Sequence, residues 1–357
     1  MEIVGTREVL SPLKGLIFPE AYHNLLNPLQ TENSFHAIKE FIEGRLENDL
    51  NLHRVSAPLF VRQNTGINDD LNGIERAVSF PMKSMDDNRA EVVQSLAKWK
   101  RMALAEYRIP AGEGIFTNMH AIRPDETTDN LHSLFVDQWD WEKHIQASDR
   151  KLSFLKQTVE RLYRILKDAE DFVNRIHPEI LPVLPEKIQF VESESLLQLY
   201  PHHTPQEREF EIVKKYKAVF IIGIGNKLSD GKPHDGRAPD YDDWSTKNDD
   251  GFFGLNGDIL VWNPVLKRAV ELSSMGIRVN KESLVRQLRI RGQEKRLELL
   301  FHKRMMNDEL PLTMGGGIGQ SRVAMFLLRK AHIGEISAGL WPEEMVHLCK
   351  SYGIQLL

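Results

Sequence analysis

Apolar residues fall at 152, 155, 159, 162, 166, 169, 173 and 176, alternating spacings of three and four. This pattern predicts a long helix from about 149 to 176 with one buried stripe. The stripe can pack on the chain's own sheet, or form a partner-helix seam of about four heptads. Phe35, Ile38, Phe41, Ile42, Leu46 and Leu50 predict an amphipathic helix beginning near Thr31. His53 to Val61 reads as extended and is broken by Pro58, which cannot donate to a ladder, so this stretch belongs at a sheet edge or under another chain. Glu91–Gln94 reads as a short strand, after which Ser95 can cap a helix through Trp99, Met102, Ala103 and Leu104. Strands follow at Ile115–Ile122, Leu134–Trp141 and Lys217–Ile222. A Gly/Asp/Pro-rich loop then covers 223–251, Gly257–Arg278 reads as a hairpin, and 281–306 as a charged amphipathic helix. Strands joined by hairpins, with helices in separate blocks, predict an α+β fold: a mostly antiparallel sheet flanked by helices. No repeat, low-complexity tract or linker divides the 357 residues, so one domain is expected.

Composition narrows the function classes. The net charge of −5, from 46 basic and 51 acidic residues, argues against a long nucleic acid as main partner. One cysteine, Cys349, excludes an internal disulfide and fits a reducing compartment. No apolar run is long enough to span a membrane, and the first 25 residues hold no signal-type core. A cytoplasmic protein is the expectation.

Three groups of residues carry candidate chemistry. Gly315, Gly317 and Gly319 recur at every second position, with Arg322 following, between Leu312-Thr313-Met314 and an apolar-periodic stretch. Read as strand, glycine turn and helix, the run leaves one strand face bare for a flat ring, with a guanidinium at the helix entrance. Its spacing fits neither the dinucleotide nor the Walker A fingerprint. In the hairpin, closure with Trp262 opposite Ala269 sets Asp258 opposite Ser273 and Leu260 opposite Glu271. Asp258 and Glu271 then share a face, either as solvated acids or as a pair holding Mg²⁺. By the same alternation Gln138 and Asp140 share one face, and Arg123 ends another. A concave wall carrying Arg123, Gln138, Asp140, Asp258, Glu271, Ser273 and Arg278 suits a charged, polar ligand. Lys100, taken on position alone, reads as a surface cation.

Beyond these groups, Phe60–Val78, Ser95–Arg101, Ala111–Gly114, Ala121–Glu126, Val136–Glu142, Gly223–Asp230, Ala238–Thr246, Gly254–Pro264 and Glu271–Val279 resemble ammonia-dependent asparagine synthetase, the aspartate–ammonia ligases. The resemblance runs from about residue 35 to 342 and leaves residues 1–25 as an extension with no assigned role. It implies the catalytic core of class II aminoacyl-tRNA synthetases. Thr31–Val61 is similar to motif 1, the dimer element, which implies a homodimer. Arg123 corresponds to the motif 2 arginine on the α-phosphate, and Gly315, Gly317, Gly319 and Arg322 to motif 3 around the adenine. The resemblance assigns Asp258 and Glu271 to Mg²⁺–ATP. It assigns Asp69, Ser95, Lys100, Gln138, Asp140 and Arg278 to the amino-acid substrate, and Leu131, Tyr241, Asp242, Leu272 and Ser273 to the nucleotide side. Asp69-Asp70 stands where the bacterial pattern has Asp-Asn.

The activity so implied is ATP-dependent amidation of L-aspartate through β-aspartyl-AMP, with Arg123 and Arg322 catalytic and Asp69 receiving ammonium. Glutamine amidotransfer commonly uses a cysteine after the initiator methionine or at a strand–turn–helix elbow. Position 2 is Glu2 and Cys349 lies in a C-terminal helix-like stretch, so free ammonia is the expected nitrogen donor. Two rivals remain: a tRNA-charging enzyme, for which Arg286, Arg289, Arg291, Lys295 and Arg296 form the one candidate basic face, and a catalytically dead paralogue.

Overall fold

The computed structural model describes residues 7–8, 13, 15–69, 71 and 75–357. Asp70 and most of the first fourteen residues of the expected extension lie outside that set. Eight strands form one sheet in the order Leu52–Arg54, Gly114–Ile122, Phe135–His144, Thr313–Gly319, Arg268–Ile277, Asn256–Asn263, Ala218–Ile222, Gln189–Glu192. The two end pairings are parallel and the inner ones antiparallel. The expected α+β architecture is therefore present. A separate three-stranded sheet joins Phe60–Arg62, Arg89–Val92 and Ser79–Pro81.

Helices Pro28–Leu50 and Leu152–Ile176 cover one face of the large sheet. Of the striped positions in the longer helix, all but Ile176 are buried, and they pack with Trp139 and Trp141 of the sheet. The stripe thus belongs to the chain's own core. The shorter helix starts at Pro28, three residues before the expected Thr31. Asn27 and Gln30 close a capping box there, and Pro28 takes the first helical position, where a missing N–H costs nothing. Ser95 does not occupy the cap of the next helix, Ala97–Glu106; Leu96 does, while Ser95 Oγ accepts the Ala97 N–H at 3.2 Å.

Residues 281–306 are not one helix. Lys281–Arg291 ends at Gly292 in the left-handed conformation, a 3₁₀ turn spans Glu294–Glu298, and Leu300–Met306 follows. Three of the arginines of the candidate basic face are engaged within the protein. Arg286 donates to Ser245 and Thr246, Arg291 to Gly225 O and Arg237 O, and Arg296 to Asp240. Among the described residues, no helix is long and apolar enough to cross a membrane.

Candidate active site

The antiparallel strands curve around a cavity of about 470 Å³ on the face opposite the two long helices. Strand Phe135–His144 brings Gln138 and Asp140 to it, and continues three residues past the expected end at Trp141, so that Glu142 follows on the same parity. Helix Ala97–Glu106 points Lys100 inward, contrary to its reading as a surface cation: it is 1% exposed. Its Nζ donates to Gly316 O at 3.0 Å and pairs with Asp140 Oδ1 at 3.1 Å. Burial lowers the Lys100 pKa, and the Asp140 and Glu142 charges oppose that shift. Asp140 Oδ2 makes no hydrogen bond among the described residues. A buried carboxylate oxygen in that state is ready for an incoming donor.

Arg278 leaves the sheet beside this pair. Glu142 accepts its Nε at 3.1 Å and its Nη2 at 2.9 Å, and Asp242 accepts from Nη1. Burial works against the guanidinium charge, yet Glu142 and Asp242 outweigh it and raise the pKa. Tyr241 lies under the guanidinium, 5.7 Å from ring centroid to Cζ, and its own pKa is raised by burial and by the Asp69 charge. Asp69 is buried and lines the same cavity, as does Ser95.

At the other end stand Arg123 and Arg322. Arg123 donates to Gln94 O at 3.4 Å, and its Nε makes no hydrogen bond among the described residues. Arg322 spans two walls, donating to Glu271 O at 3.1 Å and to Leu131 O at 3.5 Å. Leu131 and Leu272 line this end with Gly319.

The hairpin differs from its expected register in one instructive place. Trp262 faces Ala269 and Leu260 faces Glu271 as expected, but Asp258 faces Ser274, not Ser273. A bulge between Ile259 and Leu260 leaves Leu272 as the extra residue. Strict alternation from Glu271 would have sent Arg278 to the opposite face. The bulge shifts the parity, so Glu271, Ser274 and Arg278 all reach the cavity. Ser273 turns away and donates to Gly317 O at 2.9 Å, while Ser274 donates to Glu271 Oε1 at 2.8 Å.

The glycine run holds no turn, contrary to expectation: it is strand throughout, Thr313–Gly319, and runs straight into helix Gln320–Leu327. At Gly315 and Gly317 the bare face makes room for neighbouring side chains. A Cβ on Gly315 would sit 1.9 Å from Glu142 Oε2, and one on Gly317 would sit 2.6 Å from Gln138 Oε1 and 2.8 Å from Asp140 Oδ1. Gly315 itself does not line the cavity. Gly319 meets only Arg322 Cβ at 3.3 Å.

Asp258 stands behind the wall, with Arg237 between it and the cavity, its Nη2 2.5 Å from Asp258 Oδ1. Burial pushes the Asp258 carboxyl up to about 7 against the pull of Arg237, and the Glu271 charge adds to the rise. Against the desolvation that would raise it, half-buried Glu271 is held low by Arg322 and Ser274. Sequence reasoning missed Arg237, Glu142 and Ser274. Arg237 was hidden in a stretch read as loop, whereas Glu142 was reachable by counting in twos from Gln138 and Asp140.

The fold is that of class II aminoacyl-tRNA synthetases. An asparaginyl-tRNA synthetase of Entamoeba histolytica in complex with asparaginyl-adenylate superposes with a TM-score of 0.64 at 12% identity, over 87% of this chain and 66% of that one. The Pyrococcus horikoshii asparaginyl-tRNA synthetase complexed with asparaginyl-adenylate gives 0.62 at 14%, over 87% and 70%. A Bacteroides fragilis aspartate–ammonia ligase is 59% identical over 342 residues, 96% of this chain and 99% of that protein. One from Clostridium perfringens is 52% identical over 345 residues, 97% and 100% of the two chains. With a model of the aspartate–ammonia ligase family matching residues 29–353 as well, the chain belongs to that family of enzymes, as the resemblance implied.

Proposed function

We propose that the chain is one catalytic unit that makes asparagine from L-aspartate, ATP and ammonia in two steps. The observation that carries this reading is the polarity of the cavity. Lys100 and Arg278 stand at one end, Arg123 and Arg322 at the other, and Gln138 and Asp140 lie between them on one strand.

A carboxylate resists nucleophilic attack because its negative charge must grow. Its β-oxygen therefore first attacks the α-phosphorus of ATP, pyrophosphate leaves, and a β-aspartyl-AMP anhydride forms. Ammonia then adds to the acyl carbon, loses a proton, and AMP departs with the former carboxylate oxygen. Arg278 and Lys100 hold the substrate carboxylates, and Asp140 with Gln138 orients its amino group. Arg123 stabilises charge at the α-phosphate, and Arg322 clamps the nucleotide. Asp69 receives ammonium and takes up the proton that frees its lone pair.

Glu271, half-buried on the cavity wall, would hold a Mg²⁺ that takes its remaining oxygens from the triphosphate, while Asp258, behind the wall and paired with Arg237, would add its charge without facing the ion. Among the described residues no cluster of three acidic, His or Cys ligands exists. When bound, the ion would neutralise developing phosphate charge. A homodimer through residues 31–61 is part of the proposal, and Leu59 and Phe60, 51% and 48% exposed, supply apolar surface for it.

The test uses aspartate carrying ¹⁸O in its β-carboxylate. Asparagine formation with one ¹⁸O delivered to AMP, and AMP matching asparagine in amount, is the expected result. ADP as product, label in inorganic phosphate, or glutamate released from glutamine would overturn the reading.

A further inference from the structure

Leu16–Leu26 precedes the matched family region and touches none of the groups assigned to the reaction, yet it reaches the cavity wall through one side chain. Asn130 is fully buried, and its side chain is spent on this segment and its neighbour. Its Oδ1 accepts the Ile17 N–H at 2.7 Å, and its Nδ2 donates to Ile17 O at 2.9 Å and Ala331 O at 2.8 Å. Its own carbonyl accepts the Ile333 N–H at 2.8 Å. The residues on either side of these bonds, Leu131, His132 and Ile333, line the cavity. Leu131 O in turn is one of the two acceptors that fix Arg322.

A second anchor lies farther along. Tyr22 Oη donates to Glu335 at 2.9 Å and accepts the Ala331 N–H at 3.2 Å, and Lys330 Nζ donates to Asn24 Oδ1 and Leu26 O, both at 3.0 Å. Beneath these polar bonds Leu16 and Phe18 pack on Met345, Cys349 and Ile354, which keeps the segment seated.

We propose that Leu16–Leu26 is a brace for the nucleotide end of the site, with Asn130 as its positioning residue. Three links join the segment to the site: Ile17 fixes Asn130, Asn130 positions the Leu131 carbonyl and the Ala331–Ile333 turn, and these fix Arg322 and the wall it spans. Leu131 follows Asn130 directly in the chain, and the other links are hydrogen bonds between buried or half-buried groups, so losing one leaves a donor or acceptor unpaired and lets the wall shift. None of the links touches Lys100, Asp140 or Arg278. The brace therefore acts on ATP and spares aspartate. The alternative is that the segment merely covers apolar surface at the C-terminus, which predicts lower stability with all substrates affected alike.

The proposal rests on the assignment of Arg322 to the nucleotide, and its test separates the two. Asn130→Ala, Asn130→Asp and Tyr22→Phe are compared with the parent chain for KM of each substrate, melting temperature, and calorimetric affinity for a non-hydrolysable ATP analogue. Asn130→Ala and Tyr22→Phe are expected to raise KM for ATP roughly tenfold, with KM for aspartate and ammonium within about twofold. Asn130→Asp keeps the acceptor for Ile17 but turns a carboxylate oxygen toward Ile17 O and Ala331 O, and is expected to raise KM for ATP at least as much as Asn130→Ala. Equal increases for all substrates, or a lowered melting temperature with every KM unchanged, would overturn the brace. Tyr22→Phe keeps Leu16 and Phe18 seated and decides the matter if Asn130→Ala does not fold. An inactive parent chain counts against the reaction; equal analogue affinity in parent and variants counts against the brace.

Discussion

Glu142 holds Arg278 along one edge of the guanidinium, through Nε and Nη2, with the carboxylate fully buried and the arginine side chain 4% exposed. Asp242 takes Nη1. Of the five guanidinium N–H groups three are so engaged, which leaves the outer edge of the fork for a carboxylate from the cavity. The pair is thus a mount that aims one cation, and Gly315 is what makes room for it.

Replacing Glu142 by Gln keeps the volume but removes the charge and one acceptor. KM for aspartate is expected to rise roughly 10- to 100-fold while KM for ATP moves less than about twofold. Glu142→Ala leaves Arg278 buried beside Asp242 alone and is expected to cost about 3–5 kcal/mol of stability. Steady-state kinetics and urea unfolding measure the two effects. Equal rises in both KM values would mean that Glu142 does not aim Arg278.

The glycines supply a rank order. A methyl on Gly315 meets the Glu142 carboxylate at 1.9 Å, one on Gly317 meets Gln138 and Asp140 at 2.6 and 2.8 Å, and one on Gly319 meets only Arg322 Cβ at 3.3 Å. Gly315→Ala is expected to be the most damaging to stability and to aspartate binding. Gly317→Ala should chiefly raise KM for aspartate, because the two displaced side chains are those proposed to orient it. Gly319→Ala should be mildest for aspartate and act on ATP. A Gly319 variant harsher toward aspartate than Gly317→Ala would contradict this division.

Much of this architecture was legible in the chain. The three-and-four spacing located the core helix, and alternation located the strands carrying Gln138, Asp140 and Glu271, because one face of each is buried and periodicity records burial. Family resemblance named many of the groups that line the cavity, Asp69, Lys100, Arg123, Tyr241 and Arg322 among them, but also Asp258, Ser273 and Gly315, which do not. The bulge at Leu272 left no local mark, since it is fixed by pairing with Ile259 and Leu260. Lys100 looked exposed because a lysine is buried only when distant residues, here Asp140 and Gly316, satisfy it. The break at Gly292 was readable: glycine after Arg289 and Arg291 is the usual C-terminal signature.

Arg237 lies between Asp258 and the cavity and supplies the positive charge that the acids around it need. Its charge lies against Asp258, Asp242 and Glu271, and two neighbouring carboxylates without a cation repel. Arg237→Met is expected to lower stability, and to let Mn²⁺ bind without nucleotide, seen as loss of the free-ion electron paramagnetic resonance signal. The parent chain should show little such binding. Equal Mn²⁺ uptake by both would remove Arg237 from competition for the acids.

Asp69 is buried beside Tyr241 and takes the Leu71 N–H at 3.2 Å. If it receives ammonium, Asp69→Ala should raise KM for ammonium by roughly tenfold or more and lower turnover even when ammonia saturates. The defect should shrink as pH rises and free NH₃ becomes a larger share of the nitrogen. Unchanged turnover at saturating ammonia would remove the role.

Glu192 offers a pH test outside the site. It is buried beside Asn248, whose Nδ2 donates to Oε1 at 3.2 Å, while Oε2 makes no hydrogen bond among the described residues. Burial raises its pKa from the ordinary 4.5 to about 7, with Asn248 opposing and the Asp250 charge adding to the rise. Between those values the folded state binds more protons than the unfolded, so stability falls as pH climbs from 4.5 to about 7. Above 7 the full cost is present, and below 4.5 it is absent. Glu192→Gln keeps the Asn248 acceptor and cannot ionise. It should therefore stabilise the protein by about 1–3 kcal/mol at alkaline pH and by much less near the carboxylate's ordinary pKa. Urea unfolding at about pH 5 and about pH 8 separates this from a packing effect. Equal stabilisation at both would mean that the Glu192 charge is not the cause.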